Sequence, residues 1–176
     1  MVLPPQFAFD PDSFPDRPLP PVDRWHPTEA IDSKMRIDAA GRWWHDGSPI
    51  DRPAMVRAFS TLLLRDAAGQ HWLMTPQCRQ AIVVEDAPFL AIDVKAQDGA
   101  LHFRLNTGDR VVAGPDHPLR LAGTADSPAL YLAVRHGCEA RLDRSTWLQL
   151  ADLAEADADG TVHVTSNGAR FALGAA

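Results

Sequence analysis

The residues most able to do chemistry stand together at Glu85-Asp86-Ala87-Pro88-Phe89, where two adjacent carboxylates close the apolar run from Ala81 to Val84. Two adjacent carboxylates at a strand end are acceptors for the donors of a bound ligand, and Pro88 fixes an extended bend before the next strand. The plainer alternative is a structural turn in which Asp86 bonds to local backbone amides. Arg52 and Arg144 each follow an aspartate at a predicted helix start. Such guanidinium groups either pair with a neighbouring acid at the surface or grip an anion. Trp43 and Trp44 are consecutive, so a strand sends them to opposite faces. One can enter the main core, and the other needs a cover of its own.

Other constellations do not assemble. The seven histidines contain no HExxH, no HxH and no His-Cys cluster, so no metal site is expected. Glu155, Asp157, Asp159 and Gly160 imitate the start of a calcium loop, but its twelfth position is Ser166 in place of the bidentate glutamate; a helix-terminating turn fits better. There is no GxSxG elbow and no glycine-rich phosphate loop. Cys78 and Cys138 form no CxxC pair and read as two reduced thiols, although Arg79 adjoins Cys78. No catalytic residue and no cofactor is indicated.

Composition narrows the partners. A net charge of -6, with only two lysines among 17 cations, argues against binding a phosphate backbone. No apolar run approaches the roughly 20 residues of a membrane helix. The start of the chain lacks the basic and apolar regions of a signal peptide, which points to the cytoplasm.

These residues need elements to position them. Residues 1–27 hold eight of the fifteen prolines, which blocks helix and central strand, so an extended arm is expected, with Phe7, Phe9, Phe14 and Trp25 able to lie on the body or on a partner. Met35 to His45 reads as a hairpin about Gly41. Asp51 as cap and Pro53 in the first turn predict a helix with Met55, Val56, Phe59, Leu62 and Leu63 on its buried stripe, ending near Asp66 to Gly69. Strands follow at Gln70 to Thr75 and Gln80 to Glu85. Five more run from Phe89 to Arg135, separated by short glycine-bearing turns, and predict an antiparallel meander. A strand pair about Gly137, a helix after Asp143 with Trp147, Leu150, Ala151 and Ala154 on one face, and a last hairpin about Asn167-Gly168 complete the chain. Placing Asp51-Arg52 on Asp143-Arg144 aligns these strings, which predicts duplication.

The stretch Gly41 to Ile50, the helix Arg52 to Leu64 with Phe59-Ser60, and Thr75-Pro76 followed by Ile82 to Phe89 resemble the bacterial domain-of-unknown-function family 1285, over residues 30–135. The resemblance implies a two-part fold with a duplicated core, a C-terminal part similar to pleckstrin-homology-like barrels, a ligand site between the parts and a role in signalling. Gln77-Cys78-Arg79 departs from it, since an acidic residue is expected after Thr-Pro.

The expectation is thus an α+β protein of two duplicated ββ-α-ββ units with mainly antiparallel strands. Residues 1–29 form the arm, 30–90 the first unit and 91–176 the second. It is expected to be a non-enzymatic ligand-binding or regulatory module, monomeric or homodimeric, with neither nucleic acid nor membrane insertion. The site is expected between the units, lined by Trp44, Arg52, Glu85, Asp86, Phe89, Asn106 and His117. The alternatives are a protein-interaction module using an open strand edge or the arm, and an unrecognised enzyme with a carboxylate beside His117.

Overall fold

Alternating burial is the commonest local pattern, as in Ala100–Leu105, where Leu101, Phe103 and Leu105 are buried and His102 and Arg104 are exposed. That period makes strands with one apolar face. A computed structural model describes residues 18–124 and 126–175. The phenylalanines expected in the arm lie outside the described residues. From Val22 the chain joins the body: Val22–Arg24 is a 3-10 turn with Val22 fully buried, and Trp25 packs on the same core.

The first sheet contains β1 (Glu29–Ile37), β2 (Trp43–His45), β3 (Ser48–Pro49), β4 (Leu63–Arg65), β5 (His71–Met74) and β6 (Cys78–Val84), in the order β3-β2-β1-β6-β5-β4. The second contains β7 (Phe89–Gln97), β8 (Ala100–Leu105), β9 (Arg110–Val112), β10 (Leu119–Thr124), β11 (Ser127–Arg135) and β12 (Cys138–Leu142), in the order β10-β11-β12-β7-β8-β9. Raised by six and read from the other edge, the first order is the second. Each sheet is two three-stranded antiparallel meanders joined by one parallel pair, β1 with β6 and β7 with β12. The duplicated, mainly antiparallel α+β layout is therefore present, as two mixed sheets.

The helices mark the repeat at a different phase from the one expected. α1 (Pro53–Ser60) lies between β3 and β4, inside the first sheet's strand order, whereas α2 (Arg144–Asp152) follows β12, after the second is complete. Strands on both sides of α1 share one sheet. Those after α2, β13 (Glu155–Ala156), β14 (Thr161–Ser166) and β15 (Ala169–Ala175), make a separate three-stranded sheet.

Local chemistry explains the shifted boundaries. Pro53 pushes the residue before it out of helical space, so Arg52 takes the cap position at φ -85°, ψ 109°, with no side-chain cap bond, and Asp51 is left outside. The helix ends at Ser60, where the Ser60 and Thr61 hydroxyls donate back to the Arg57 and Ala58 carbonyls and so satisfy acceptors of its last turn. Leu62 and Leu63 fit a helical stripe, yet Leu63 pairs with Leu73 as β4. At α2 the Asp143 carboxylate does accept the Thr146 N–H, at 2.7 Å. There Leu150 and Thr146 face the core, while Ala151 is exposed. Asp157 to Gly160 is the turn between β13 and β14, not the end of that helix.

The predicted single meander also fails at one joint. β9 and β10 lie at opposite edges, and the loop between them is drawn tight by mutual backbone bonds of Gly114 and His117, 3.1 Å each. A flat six-stranded sheet separates its edges by about 24 Å. So folded a loop cannot cross that span, and the second sheet must curl. The hairpin of β14 and β15 plugs the gap. Its buried Ser166 hydroxyl accepts the Leu101 N–H and donates to the Ala113 carbonyl, both at 2.8 Å.

One apolar core runs through both units, from Trp43, Phe59 and Leu63 to Phe89, Phe103, Leu132 and Leu150. Trp43 stacks on Phe59 with ring centroids 6.2 Å apart. Among the described residues no helix is long and apolar enough to cross a membrane.

Candidate functional site

The two carboxylates after β6 part company. Glu85 turns back to the first unit, where it takes Arg36 at 2.6 Å and the Ala39 N–H at 3.0 Å. Asp86 turns to the second: it accepts the Tyr131 hydroxyl on one oxygen and Arg141 on the other, each at 2.6 Å. The junction is thereby fixed on both sides.

Asp86 opens onto a cleft of about 200 Å³ in the seam. Arg65 and His71, a cross-strand pair of β4 and β5, form the first unit's wall. Arg120, Tyr131 and Glu139 form the second unit's, with Ala87 and Pro88 between. Strand register places two of these and the partner of Asp86 side by side: Arg120 lies opposite Tyr131, and Tyr131 opposite Arg141, so three strands set three polar side chains in a row. Their inward neighbours Leu130, Leu132 and Ala140 are buried, which leaves this row on the outer face.

The electrostatics are nearly closed. Arg120 grips Glu139 with two bonds, 2.9 and 2.8 Å, and lies 4.7 Å from the centre of the Tyr131 ring. The Glu139 bond raises the Arg120 pKa, as the Asp86 bond raises that of Arg141. Burial, then the Asp86 contact, pushes the Tyr131 phenol up, so it keeps its proton. Burial and the nearby Arg65 charge push His71 below its ordinary value, which leaves the imidazole neutral at neutral pH. Arg65 has no carboxylate partner among the described residues; its Nε reaches only the Gly69 carbonyl, at 3.5 Å.

Deeper in the seam, Arg135 crosses between units. It pairs with Asp109 at 3.1 Å, donates to the Ser60 carbonyl at 3.3 Å and lies over the Phe89 ring at 4.8 Å.

Of the seven residues expected to line one site, only Asp86 faces this cleft. Trp44 is on an outer face, its indole N–H on Asp38 and its ring flanked by Arg36 and Arg42. Glu85 joins that group through Arg36. Arg52 lines a second cleft of about 410 Å³ with Met35, His45 and Met55. Phe89 is fully buried in the core. Asn106 clasps Leu90, its side-chain oxygen on the Leu90 N–H and its own N–H on the Leu90 carbonyl. His117 contacts the Ala133 carbonyl at 3.0 Å, in the loop before β10. Arg65, His71, Arg120, Tyr131, Glu139 and Arg141 were not expected. The available signal was the alternation in β11 and β12, which sets the single tyrosine on a polar face.

The thiols take no part. Burial pushes Cys138 up to about 12, and Cys78 is tied to Thr75, while Arg79 stacks on Trp72. Among the described residues no group of three or more His, Cys, Asp or Glu could hold a metal ion.

Fold and cleft define a class: a bipartite α+β protein of two topologically repeated mixed sheets with a polar seam. Two family models cover nearly all of the described chain, the N-terminal domain of a domain of unknown function, DUF1285, over residues 20–87 and the C-terminal domain of the same family over residues 88–173. The chain belongs to the DUF1285 family. The two models meet between Ala87 and Pro88, inside the junction described above. A DUF1285 family crystal structure from Silicibacter pomeroyi DSS-3 is similar over 94% of this chain and 92% of that one, at 39% identity and a TM-score of 0.84. Another, from Shewanella baltica OS155, matches 67% of this chain and 90% of its own at 24% identity and a TM-score of 0.56, which speaks to the fold alone. No curated protein matches the chain.

Proposed function

We propose that the chain is a non-enzymatic ligand-binding module of the regulatory, signal-transducing kind, and that its site is the seam cleft between residues Arg65 and His71 on one side and Arg120, Tyr131 and Glu139 on the other. The observation that carries this reading is that both units supply the walls, with convergent polar groups around an otherwise unpaired guanidinium. A ligand held there touches both units at once, so its binding changes how firmly they are held together. That is a means of passing on a signal. Nothing in the cleft is poised as a nucleophile with a base: Tyr131 is protonated and its proton is committed to Asp86.

The protein-interaction alternative draws on one observation. The first half of β1, Glu29 to Asp32, pairs with β6 on one side only among the described residues, and Ile31 is exposed there. Glu29, Asp32 and the left-handed kink at Lys34 (φ 55°) defend that edge in the way strand edges are usually blunted. The cleft has no such defence.

The test is a melting-temperature screen of a metabolite library against the native chain and Ala122→Trp, which fills the cleft from edge strand β10. A ligand at a hundred times its Kd adds about 2.7 kcal/mol, or on the order of 5–10 °C for a chain this size. The expected result is a shift present in the native chain and lost in the variant. A library with no shift, or a shift that survives in Ala122→Trp, rejects the cleft.

A further inference from the structure

We infer that the ligand of the seam cleft is a small oxyanion, a carboxylate or phosphate group held by Arg65 of the first unit and Arg120 of the second. This rests on the cleft being a ligand site, and goes further by naming what it takes.

The charge inventory argues against a cationic ligand. Three guanidinium groups, on Arg65, Arg120 and Arg141, meet two carboxylates, on Asp86 and Glu139. Both carboxylates are already occupied by charge-assisted bonds, Asp86 by Arg141 and the Tyr131 hydroxyl, Glu139 by both arms of Arg120. A cationic ligand would have to displace a guanidinium, which is held at 2.6–2.9 Å. Neutral His71 adds no charge. Counted over the charged residues that line it, together with the Arg141 that pairs with Asp86, the balance is one positive charge, and Arg65 is the guanidinium left without a carboxylate partner.

Unused donors point the same way. A guanidinium carries five N–H donors and no acceptor. Arg120 spends two on Glu139, and Arg65 has only the long contact to Gly69. Planar forks of this kind match the oxygens of carboxylate and phosphate. Apart from the Tyr131 ring, the apolar part of the lining is the small residues Ala87, Pro88 and Ala122. At about 200 Å³ the cleft is smaller than the roughly 300–1,000 Å³ of pockets that enclose drug-sized molecules, so the group seated in it is a small one.

The experiment is calorimetric titration of the whole chain at low ionic strength with inorganic phosphate, acetate and succinate in separate arms, and chloride as reference. The expected result is saturable binding in one oxyanion arm, weakened about ten- to a hundred-fold by Arg65→Gln, partly restored by Arg65→Lys, and unchanged by Arg104→Gln, an exposed arginine on β8. Whether the phosphate or the carboxylate arms respond identifies the group. Because Arg65 is exposed, the variant should melt like the native chain, and its melting curve checks that. Binding indifferent to Arg65→Gln, or weakened equally by Arg104→Gln, overturns the inference. So does a neutral or cationic compound whose stabilisation is lost in Ala122→Trp while no oxyanion binds; that result leaves the cleft as a ligand site and removes only its ligand class. No stabilisation by any compound removes both.

Discussion

In the first sheet the chain passes from one edge to the other through residues 50–62, which include α1; in the second the equivalent passage is the short loop of residues 113–118. The long passage lets α1 lie across its sheet and stack Phe59 on Trp43. The short one forces the second sheet to curl and leaves its covering to later parts of the chain, α2 and the hairpin of β14 and β15. The shared feature of the two units is strand order, and the helices are separate solutions to covering it. Edges, faces and the cleft then differ because the covers differ, although the strands do not.

The seam offers the largest way to break this comparison. Arg135 and Asp109 keep only 12% of their side chains exposed, and Arg135 also reaches the first unit through Ser60. Arg135→Ala leaves the Asp109 carboxylate buried without its cation and is expected to cost about 3–5 kcal/mol in urea unfolding. One transition by fluorescence and circular dichroism would show that the units unfold together; two would show that Arg135 joins separately stable sheets. Next comes the cover of the second sheet. Leu150→Ala, at a fully buried position, should cost about 2–5 kcal/mol, whereas Leu148→Ala on the same helix, 56% exposed, should stay within about 0.5 kcal/mol. Similar losses at both would mean that α2 does not pack as described.

Helix starts give a smaller contrast. Asp143→Ala removes a real cap and should cost about 1 kcal/mol by thermal unfolding, while Asp51→Ala, which removes none, should cost almost nothing. The smallest effect is confined to acid and to the first unit. Burial works to raise the Asp38 carboxyl, but the Arg42 backbone N–H, the Trp44 indole and the Arg42 guanidinium outweigh it, and its pKa ends below the ordinary aspartate value. A depressed folded-state pKa contributes stability above the ordinary value and loses it as pH falls through the folded one. Stability of the native chain should therefore drop further than that of Asp38→Asn between about pH 5 and pH 2, the range over which such carboxylates take up protons. Parallel curves would count against the assignment.

Local features were legible in the sequence, and those that depend on register were not. The β1–β2 hairpin could be read because Gly41, at φ +75°, is a turn residue between two strand-like runs. β5 to β8 were legible from composition and alternation. Leu62 and Leu63 misled because they fall on the helical stripe of Met55, Val56 and Phe59 and suit a strand equally well, and the choice was made by pairing with β5. The two helices misled about the phase of the repeat, since Asp-Arg before an apolar helix is a common start. Asp86 could be singled out because two acids and a proline adjoin in sequence. Arg65, Arg120, Tyr131 and Glu139 could not, since they meet only once β4, β10, β11 and β12 have taken their places.

The parallel pair at the centre of each sheet has a consequence for synthesis. β1 and β6 are the first and last strands made of their unit, as β7 and β12 are of theirs, yet each pair forms the middle of its sheet. Two meanders can form early from neighbouring residues, but each exposes an unfinished inner edge until the sixth strand leaves the ribosome. The join is the contact of greatest sequence separation in the sheet, and such contacts set slow folding rates. Each unit thus waits open for its last strand, and a nascent chain halted before Val84 or Leu142 would present β1 or β7 as a free edge to any other strand nearby.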